Sequence, residues 1–578
     1  MSKKSVIGIV GIGPRGLFAL EQFVVNLADW RVSKPIEILL FEATGNFGNG
    51  QVYEINQLET NWINISERIL LLEERLERIW NEIHLPFFPS YHQWADIDPD
   101  SLNDSEPDRY PPRSKIGTYL QQRFESLANP LIQAGILQLF EEQVKKVTLT
   151  QTGTIQLSTD RQTIGNIDEL LLTIGHQDTQ LSEQLSAWKQ HETKQGGIRV
   201  FEAPYPIRDF WESKALTPKR TIGIRGFGLA MIDVARGIAS RFGRFEITDS
   251  ATQQYRYHPQ EEGVPLLVPF SLDGLPPAPK PLNAELDRWY EPSQAHLLTF
   301  EQHIGDSSVQ RNANSPRFLF EAIAPIAANL YCQLAQTYAK EGDTKELIES
   351  VILDWLQDEQ FEHRLLLSPT QPTRQMMEAF VGMATGYKPI SLDFCVGQVW
   401  RHCQPSMYEQ LSFNECKDEV FVKIIQVDER MKRYAYGPPV ASIQQMIALV
   451  SAEVMTLDVV CDPSITLSPS GWHLRSEQSA IEVDTMINSV LDSPQIKAVR
   501  TPIIQHLLSD QIIEAVHDDL GVITNSAGYL IPKDQQTSAP IALLGRLAKG
   551  TIMGVDAILE CFGDRPKVWA SEAVRRCI

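Results

Sequence analysis

The sequence is poor in cysteine, with seven in 578 residues. No two of them have CxxC spacing, which argues against a zinc ribbon and against a CxxC redox centre. Their odd number and scattered positions argue against a disulfide framework, and free thiols fit a reducing compartment. We therefore expect a cytoplasmic protein without a metal site; the cysteines are Cys332, Cys395, Cys403, Cys416, Cys461, Cys561 and Cys577.

Basic residues are also scarce, with 52 Lys and Arg against 73 Asp and Glu, a formal net charge of −21. Such a surface repels the phosphates of nucleic acids, so we expect no nucleic-acid partner. No run of about 20 apolar residues is present, which predicts no membrane span. The chain lacks HExxH, GxSxG and P-loop lysine motifs, so hydrolase and kinase functions have little support and no catalytic residue is identified. The expected partner is a small-molecule substrate, and the oligomeric state stays open.

A glycine turn at residues 11–16, GIGPRG, satisfies the pattern GxGxxG. The apolar stretch Ser5–Val10 before it predicts a buried parallel strand, and apolar residues at helical spacing follow it. A second predicted strand, Ile36–Phe41, ends on Glu42. Strand, turn, helix, strand and acid in this order predict a dinucleotide-binding unit. Its position near the amino terminus is typical of FAD; the alternative is a purely structural turn.

The residue type at each key position of this unit has a physical reason. Gly11 allows a tight turn between strand and helix, and Gly13 lets the backbone approach a pyrophosphate. Gly16 allows close packing of helix and strand, and the helix N-terminus offers free N–H groups to phosphates. Glu42 stands where a carboxylate accepts hydrogen bonds from the adenosine ribose.

A second, incomplete glycine turn follows the predicted strand Thr221–Ile224. It contains Gly226 and Gly228, but Met231 stands at the third glycine position. The next predicted strand, FEITD, ends on Asp249, which suits NAD. Arg225, Arg241 and Arg244 lie nearby and suit the 2′-phosphate of NADP, so the sequence does not decide between the two coenzymes. The alternative is a vestigial unit that binds neither.

Between the two turns, the stretch IDELLLTIGH (167–176) predicts a strand that ends in glycine. Gly175 would let the chain pass close to a cofactor. We expect His176 to be a structural or loop residue rather than a catalytic one.

The middle of the chain, from about 251 to 480, has a different pattern. Residues 315–342 and 343–357 predict helices, the first broken at Pro325. Residues 383–413 are dense in aromatic side chains, which favours packing between elements. The alternative is that this stretch roofs the site and supplies substrate contacts from Arg401, His402 and Tyr408.

Taken in order, the motifs resemble those of FAD/NAD(P)-binding proteins that include nitrosuccinate-forming L-aspartate N-monooxygenases and flavin-dependent urate hydroxylases. The resemblance covers roughly the first 260 and the last 100 residues. The segments that carry it are residues 11–16, 41–66, 111–124, 170–176, 203–207, 226–233 and 542–558.

The resemblance implies an α/β fold with two Rossmann-like dinucleotide-binding domains, the FAD domain split in sequence, and a largely helical insert. The implied boundaries are 1–215 for the first part of the FAD domain, 216–260 for the nicotinamide-binding unit, 261–480 for the insert and 481–578 for the last part of the FAD domain. The implied cofactor-binding residues are Gly11, Gly13, Pro14, Arg15, Gly16, Glu42, Asn61, Trp62, Asn64, Ser66, Gly175, Gly226, Gly228, Gly545, Gly550, Thr551 and Asp556, with Lys549 beside them. Arg113 and Tyr119 match the family without an assignable role.

These cofactors, FAD and NAD(P)H, predict an oxidoreductase, and the resemblance favours a monooxygenase that hydroxylates a small amine-bearing substrate. A flavin carries the difficult chemistry itself, which explains why the sequence shows no cluster of catalytic side chains. The alternatives are an oxidoreductase that inserts no oxygen, and a non-catalytic flavin- or nucleotide-binding sensor.

Overall fold

The computed structural model describes residues 4–213, 216–491, 495–518, 520–531, 540–555 and 557–577. The first third of the chain alternates strands and helices, as its apolar stretches predict. In chain order its elements are β1 (Ser5–Val10), α1 (Pro14–Asp29), β2 (Ile36–Phe41), β3 (Arg78–Trp80), β4 (Ile83–Leu85), α2 (Tyr91–Trp94), α3 (Arg113–Gln133), β5 (Leu137–Phe140), β6 (Val144–Leu149), β7 (Ile155–Thr159), β8 (Thr163–Ile167) and β9 (Glu169–Leu172).

The next segment contains α4 (Glu183–Lys194), β10 (Arg199–Phe201), α5 (Arg208–Trp211), β11 (Thr221–Arg225), α6 (Leu229–Phe242), β12 (Gly243–Asp249), β13 (Gln254–Pro259) and β14 (Leu266–Phe270). Nine helices follow: α7 (Ala284–Asp287), α8 (Gln294–Ile304), α9 (Ser307–Asn312), α10 (Arg317–Gln333), α11 (Lys345–Gln357), α12 (Thr373–Ala384), α13 (Leu392–Gln410), α14 (Asp418–Ala435) and α15 (Val440–Ser451). The described part of the chain closes with β15 (Ser464–Ser468), β16 (Gly471–Arg475), β17 (Ala480–Val483), β18 (Thr485–Asn488), α16 (Pro502–Ser509), β19 (Ile541–Leu543), α17 (Ile558–Cys561) and α18 (Asp564–Cys577).

The first sheet joins the two ends of the chain. Its five strands run parallel in the order β19-β9-β1-β2-β5, with Ile7 opposite Ile38 and Leu171 opposite Ala542. Ile7 and Ile9 pack in one core with α1, α3 and α18, whereas Leu170 and Leu172 pack in another with β6, β7 and α16. The predicted split of this domain in sequence is confirmed, because strand β19 comes from beyond the helical region.

The second sheet is also parallel, in the order β10-β18-β11-β14. The predicted strand FEITD, β12, is not part of it, because β12 pairs antiparallel with β13 in a separate two-stranded sheet. The parallel neighbour of β11 is β14, with Ile224 opposite Pro269. The chain therefore forms the hairpin β12–β13 after α6 before it returns to the second sheet as β14.

The helical insert is confirmed, with one local difference from the prediction. Pro325 lies inside α10 and does not break it, and that helix ends at Gln333 rather than at 342. One hydrophobic core contains Ile222 and Ile224 of the second sheet together with Trp400 and Phe394 of the insert. None of the helices in the described ranges combines the length and apolarity needed to cross a membrane.

Candidate functional site

The first glycine turn has the backbone geometry that its sequence predicts. Gly11 has φ +88°, and a Cβ there would lie 2.6 Å from the carbonyl oxygen of Thr173. A Cβ on Gly16 would lie 2.8 Å from Thr173 Oγ1 and closer still to the Gly11 carbonyl oxygen. Helix α1 and strands β1 and β9 therefore meet at a distance that only glycine permits at these two positions.

Gly13 differs from its two neighbouring glycines because its surroundings are open. It precedes α1 at the N-cap, with Pro14 as the first helical residue, and it is only half-buried, like Arg15. The nearest atom to a Cβ on Gly13 would be the Cα of Gly50, at 3.8 Å. The first N–H groups of α1 have no partner within the helix, so this accessible N-terminus fits a phosphate group.

Glu42 is buried directly after β2, where its carboxylate accepts hydrogen bonds that hold the turn in position. Its Oε2 accepts a hydrogen bond from the Ile12 N–H at 2.9 Å, and its Oε1 accepts one from Thr44 Oγ1 at 2.8 Å. The acid thus holds the β1–α1 connection in position, and its expected ribose contact stays a prediction.

A cavity of about 1060 Å³ lies between the first and second sheets. Three parts of the chain with predicted cofactor contacts line it: the segment 61–65, the loop after β9 and the N-terminus of α6. Of the predicted residues, the described lining includes Asn61, Trp62, Asn64, Gly175 and Gly228. It does not include Gly11, Gly13, Pro14, Arg15, Gly16, Glu42, Ser66, Gly226, Gly545, Gly550 or Thr551, and Asp556 lies outside the described residues.

The second glycine turn also combines one tightly packed and one open glycine. Gly226 has φ +107°, and a Cβ there would lie 2.8 Å from Ser489 Oγ. Gly228 caps the N-terminus of α6 and has no atom within 4 Å of its Cβ position. Met231 at the third glycine position is buried in the core behind the helix. The open N-terminus of α6 faces the cavity and fits a second phosphate group.

The prediction that Asp249 ends a strand of the sheet and binds the ribose at this second site is wrong. Asp249 lies on the separate hairpin, where its carboxylate accepts hydrogen bonds from the Ala251 N–H and Thr252 Oγ1. The carboxyl end of β14 instead brings Ser271 and Asp273 to the cavity. Asp273 forms an ion pair with Arg433 of α14.

The arginines predicted as an alternative for the second site do not reach the cavity either. Arg225 donates to Asn488 Oδ1 at 2.9 Å, and Arg241 donates to the carbonyl oxygen of Trp211. Arg244 is exposed on β12. None of the three belongs to the described lining.

A hydrogen-bonded group of three side chains stands on the cavity wall. Arg113 at the start of α3 donates to Asp233 Oδ2 at 3.0 Å and to the Tyr205 hydroxyl at 3.3 Å. Tyr205 donates to the same Asp233 oxygen at 2.6 Å. Burial raises the pKa of Tyr205, which keeps its hydroxyl protonated as a donor. Burial opposes the charge of Arg113, but its contacts with Tyr205 and Asp233 hold its pKa above the usual value.

Arg236, three residues after Asp233 on α6, also lines the cavity. Its guanidinium lies over the indole ring of Trp62, 3.6 Å from the ring centroid. Sequence reasoning missed Tyr205, Asp233 and Arg236. The stretches APYPI and GFGLAMID carried the resemblance, yet nothing in either stretch indicates which of its side chains turn toward a shared cavity.

The predicted C-terminal residues pack against neighbouring parts of the chain and do not belong to the described cavity lining. Arg15 donates to the carbonyl oxygen of Val555 at 3.2 Å, and its guanidinium packs against Gly545 where a Cβ would stand. Thr551 Oγ1 donates to the Val522 carbonyl oxygen, and Lys549 pairs with Glu429. Gly550 packs against Leu520. This segment ties α1 to the end of the chain.

The remaining candidates have structural partners. Arg401 and His402 both contact Asp287, and Tyr408 shares a hydrogen bond of 2.9 Å with Tyr436; these three candidates lie outside the described lining. His176 lies in the lining. Ser66 and Tyr119 do not: both are buried, and the Tyr119 hydroxyl donates to the Pro89 carbonyl oxygen at 3.1 Å.

Comparison with known proteins gives a family match and distant relatives. A family model described as FAD-NAD(P)-binding matches residues 8–177. Nitrosuccinic acid synthase of Aspergillus oryzae is 26% identical over 326 residues, which cover 54% of this chain and 47% of that protein. The chain thus spans about half the length of the curated relative it matches.

Among solved structures, the chain is similar to ornithine hydroxylase from Pseudomonas aeruginosa, with 11% identity, a TM-score of 0.46 and coverage of 99% of this chain and 100% of that one. It is also similar to L-lysine 6-monooxygenase from Pseudomonas syringae, with 11% identity, a TM-score of 0.45 and 99% coverage of both chains. The match over residues 8–177 confirms the predicted FAD/NAD(P)-binding character of the chain. The matched residues, 8–177, contain the first glycine turn and strands β1, β2 and β9, and this part of the chain is similar to the FAD-NAD(P)-binding family.

Proposed function

We propose that the protein is an FAD-dependent, NAD(P)H-consuming monooxygenase that hydroxylates a small amine-bearing substrate. The family match supports the cofactors. The name of the relative, nitrosuccinic acid synthase, states that it makes a compound in which nitrogen carries oxygen, and this supports the substrate class.

One observation carries the proposal: the loop after β9 of the first sheet and the N-terminus of α6 beside the second sheet line one large cavity. At about 1060 Å³ it is as large as the pockets that hold cofactors and substrates. Its described lining contains eight Arg and Lys against six Asp and Glu, although the whole chain has a net charge of −21. The local excess of positive charge favours anionic ligands such as dinucleotides.

In this proposal the N–H groups at the start of α1 hold the FAD pyrophosphate, and those after Gly228 hold the pyrophosphate of NAD(P)H. FAD supplies the hydride acceptance and oxygen activation when bound. The segment 61–65 and Gly175 form the wall toward the flavin. Arg113 and Tyr205 fix Asp233 at the wall near α6, so that its carboxylate keeps one orientation toward the bound molecules.

The decisive experiment is the visible spectrum of the protein as isolated, and after soaking with FAD and dialysis. We expect a flavin spectrum, followed by bleaching on anaerobic titration with NADH or NADPH. A protein that stays colourless after soaking would contradict the proposal and favour the non-catalytic alternative.

Oxygen insertion needs a separate test. We expect that an amine substrate strongly stimulates NAD(P)H oxidation and that ¹⁸O₂ labels the product. Rapid coenzyme oxidation without any substrate, and no label in a product, would favour the oxidoreductase that inserts no oxygen.

A further inference from the structure

The hairpin of β3 and β4 and the stretch before it carry a concentration of exposed apolar side chains. The described part of the chain contains 21 large apolar residues that are exposed. Five of them fall within residues 69–87: Ile69, Leu71, Leu76, Ile79 and Phe87. Clustered apolar surface of this kind marks interaction sites in proteins. None of the five belongs to the described lining of the cavity, so this surface is separate from the site described above.

The hairpin is firmly anchored to the first domain. Trp80, Leu85 and Phe88 are buried in one core with α1 and α3. The buried Arg75 forms an ion pair with Glu21 of α1 at 3.2 Å. The exposed apolar side chains therefore stand on a rigid support, and a partner that docks there orders little additional backbone.

Three of the exposed side chains lie on the hairpin itself, and we call Leu76, Ile79 and Phe87 the ridge. Their exposed fractions are 53%, 66% and 47%. The ladder pairs of the hairpin place Leu76 opposite Phe87. Ile79 lies three residues further along the extended chain, about 10 Å from Leu76. An α-helix covers the same length in about seven residues, the spacing at which an amphipathic helix repeats its apolar contacts.

Unpaired acidic side chains flank the ridge. Glu73 and Glu74 precede it, and Glu82 lies in the turn between the two strands; all three are exposed. Within the described residues none of the three forms an ion pair, whereas Arg78 of β3 already pairs with Asp29 at 2.7 Å. A partner on the ridge meets this negative charge, which favours a partner that carries Lys or Arg beside its apolar stripe.

The same negative charge disfavours two other occupants. A second copy of this chain would place its own glutamates against these glutamates, and each copy has a net charge of −21. A membrane surface rich in anionic lipid would be repelled for the same reason.

We propose that the ridge docks a basic amphipathic helix of a partner protein, with the apolar stripe of that helix on the ridge and its Lys or Arg side chains beside Glu73, Glu74 and Glu82. This interaction goes beyond the proposed oxidoreductase activity and does not depend on it, because the ridge lies outside the cavity and binding there needs no flavin.

The test measures the binding of a model peptide to the full-length protein by fluorescence anisotropy. The probe is a labelled amphipathic helix of leucine and lysine, and the same helix with glutamate in place of lysine is its charge control. We expect wild type to bind the lysine peptide at micromolar concentration and the glutamate peptide at least tenfold more weakly. Binding of the lysine peptide should weaken as salt is added.

The apolar contribution is tested with the double variant Ile79→Ser with Phe87→Ser. We expect it to weaken the binding of the lysine peptide at least tenfold. The matched control is Leu298→Ser, a similarly exposed residue on α8, which should bind as wild type does. Equal binding by wild type and the double variant would show that the peptide binds the acidic surface at large and would overturn the proposal.

The charged contribution is tested with Glu73→Gln combined with Glu82→Gln. We expect this pair to weaken binding of the lysine peptide at least threefold. Glu261→Gln combined with Glu262→Gln, two exposed acids far along the chain, should have no effect. An equal loss in both pairs would show that only the net charge matters and would contradict the proposal.

Three further measurements assign the ridge if the proposal is wrong. Because the ridge is exposed, the double variant should keep the melting temperature of wild type, and a clear decrease would give the ridge a role in the fold. A wild-type dimer in sedimentation velocity that the double variant loses would make the ridge an interface between copies. Flotation of wild type with phosphatidylglycerol vesicles that the double variant loses would make it a membrane contact. We expect none of these results, and each of them would overturn the proposal.

Discussion

Gly13 and Gly16 belong to one motif, but their substitution should have opposite consequences. At Gly13 the backbone angles, φ −78° and ψ −168°, are open to any residue, and a Cβ would lie 3.8 Å from the nearest atom. We therefore expect Gly13→Val to change the free energy of unfolding by no more than about 1 kcal/mol, the size of an N-cap effect. Its methyl groups would occupy the space in front of the helix N-terminus, so FAD retention should be lost.

Gly16→Ala is the matched variant. Its Cβ would lie 2.8 Å from Thr173 Oγ1 and closer to the carbonyl oxygen of Gly11, so helix and strand must separate. Forcing one methyl group into such a contact costs about 1–3 kcal/mol, and backbone atoms yield less readily than side chains. We expect a loss of about 3 kcal/mol.

Two measurements on each variant check the pair: urea unfolding followed by tryptophan fluorescence, and the flavin-to-protein ratio after soaking with FAD and dialysis. Gly13→Val should unfold like wild type and contain no flavin. Wild-type flavin occupancy in Gly13→Val would refute the assignment of the first glycine turn to FAD. Wild-type stability of Gly16→Ala would contradict the argument from tight packing at Thr173.

Three further predictions concern other parts of the chain. Gly228→Val should keep FAD but slow anaerobic reduction by NAD(P)H at least tenfold, because its side chain would occupy the open space in front of α6 that we propose for the coenzyme. Equal rates in stopped-flow measurements would contradict the second site. Glu21→Gln should lower the free energy of unfolding in urea by about 3–5 kcal/mol. The reason is that Glu21 is buried between Arg75 at 3.2 Å and Arg123 at 2.5 Å, and the variant leaves both guanidinium groups without their carboxylate partner. A loss below 1 kcal/mol would contradict this. Burial raises the pKa of Glu169 to about 7, so the folded protein binds a proton between pH 4.5 and 7 that the unfolded chain has released. The free energy of unfolding of wild type should therefore fall as the pH rises over that range, by at most about 3 kcal/mol. Glu169→Gln should lack this fall in unfolding measured at each pH, and a pH profile unchanged from wild type would count against the buried carboxyl.

The sequence predicted the parallel sheets because strand, glycine turn and helix follow one another without interruption in the first domain. The same logic failed after the second turn, where FEITD has the apolar alternation of a strand and directly follows α6. Its partner is the adjacent stretch 254–259, which forms an antiparallel hairpin with it, and the sheet continues only at β14. A hairpin inserted into a crossover cannot be distinguished from a sheet strand by local pattern, so the sequence predicts Asp249 at the end of a sheet strand, a place that Ser271 and Asp273 take after β14.

The residues of the cavity wall were harder to predict than the glycine turns. Arg113, Tyr205 and Asp233 are 28 to 120 positions apart in the sequence and meet only through tertiary packing. Tertiary packing also explains why the predicted break at Pro325 is absent. Helix α10, which contains Pro325, packs on α8, α11 and α13, and this packing outweighs the local cost of one proline.

The helical insert is part of the site and not a removable module. Strand β18, which follows the insert in sequence, lies in the middle of the second sheet between β10 and β11. Arg433 of the insert pairs with Asp273 at the end of β14, and the carbonyl oxygen of Tyr436 accepts a hydrogen bond from Asn64. Because the second sheet and the insert share one hydrophobic core, we expect them to unfold together. The cavity wall is then held by the same packing that positions the N-terminus of α6.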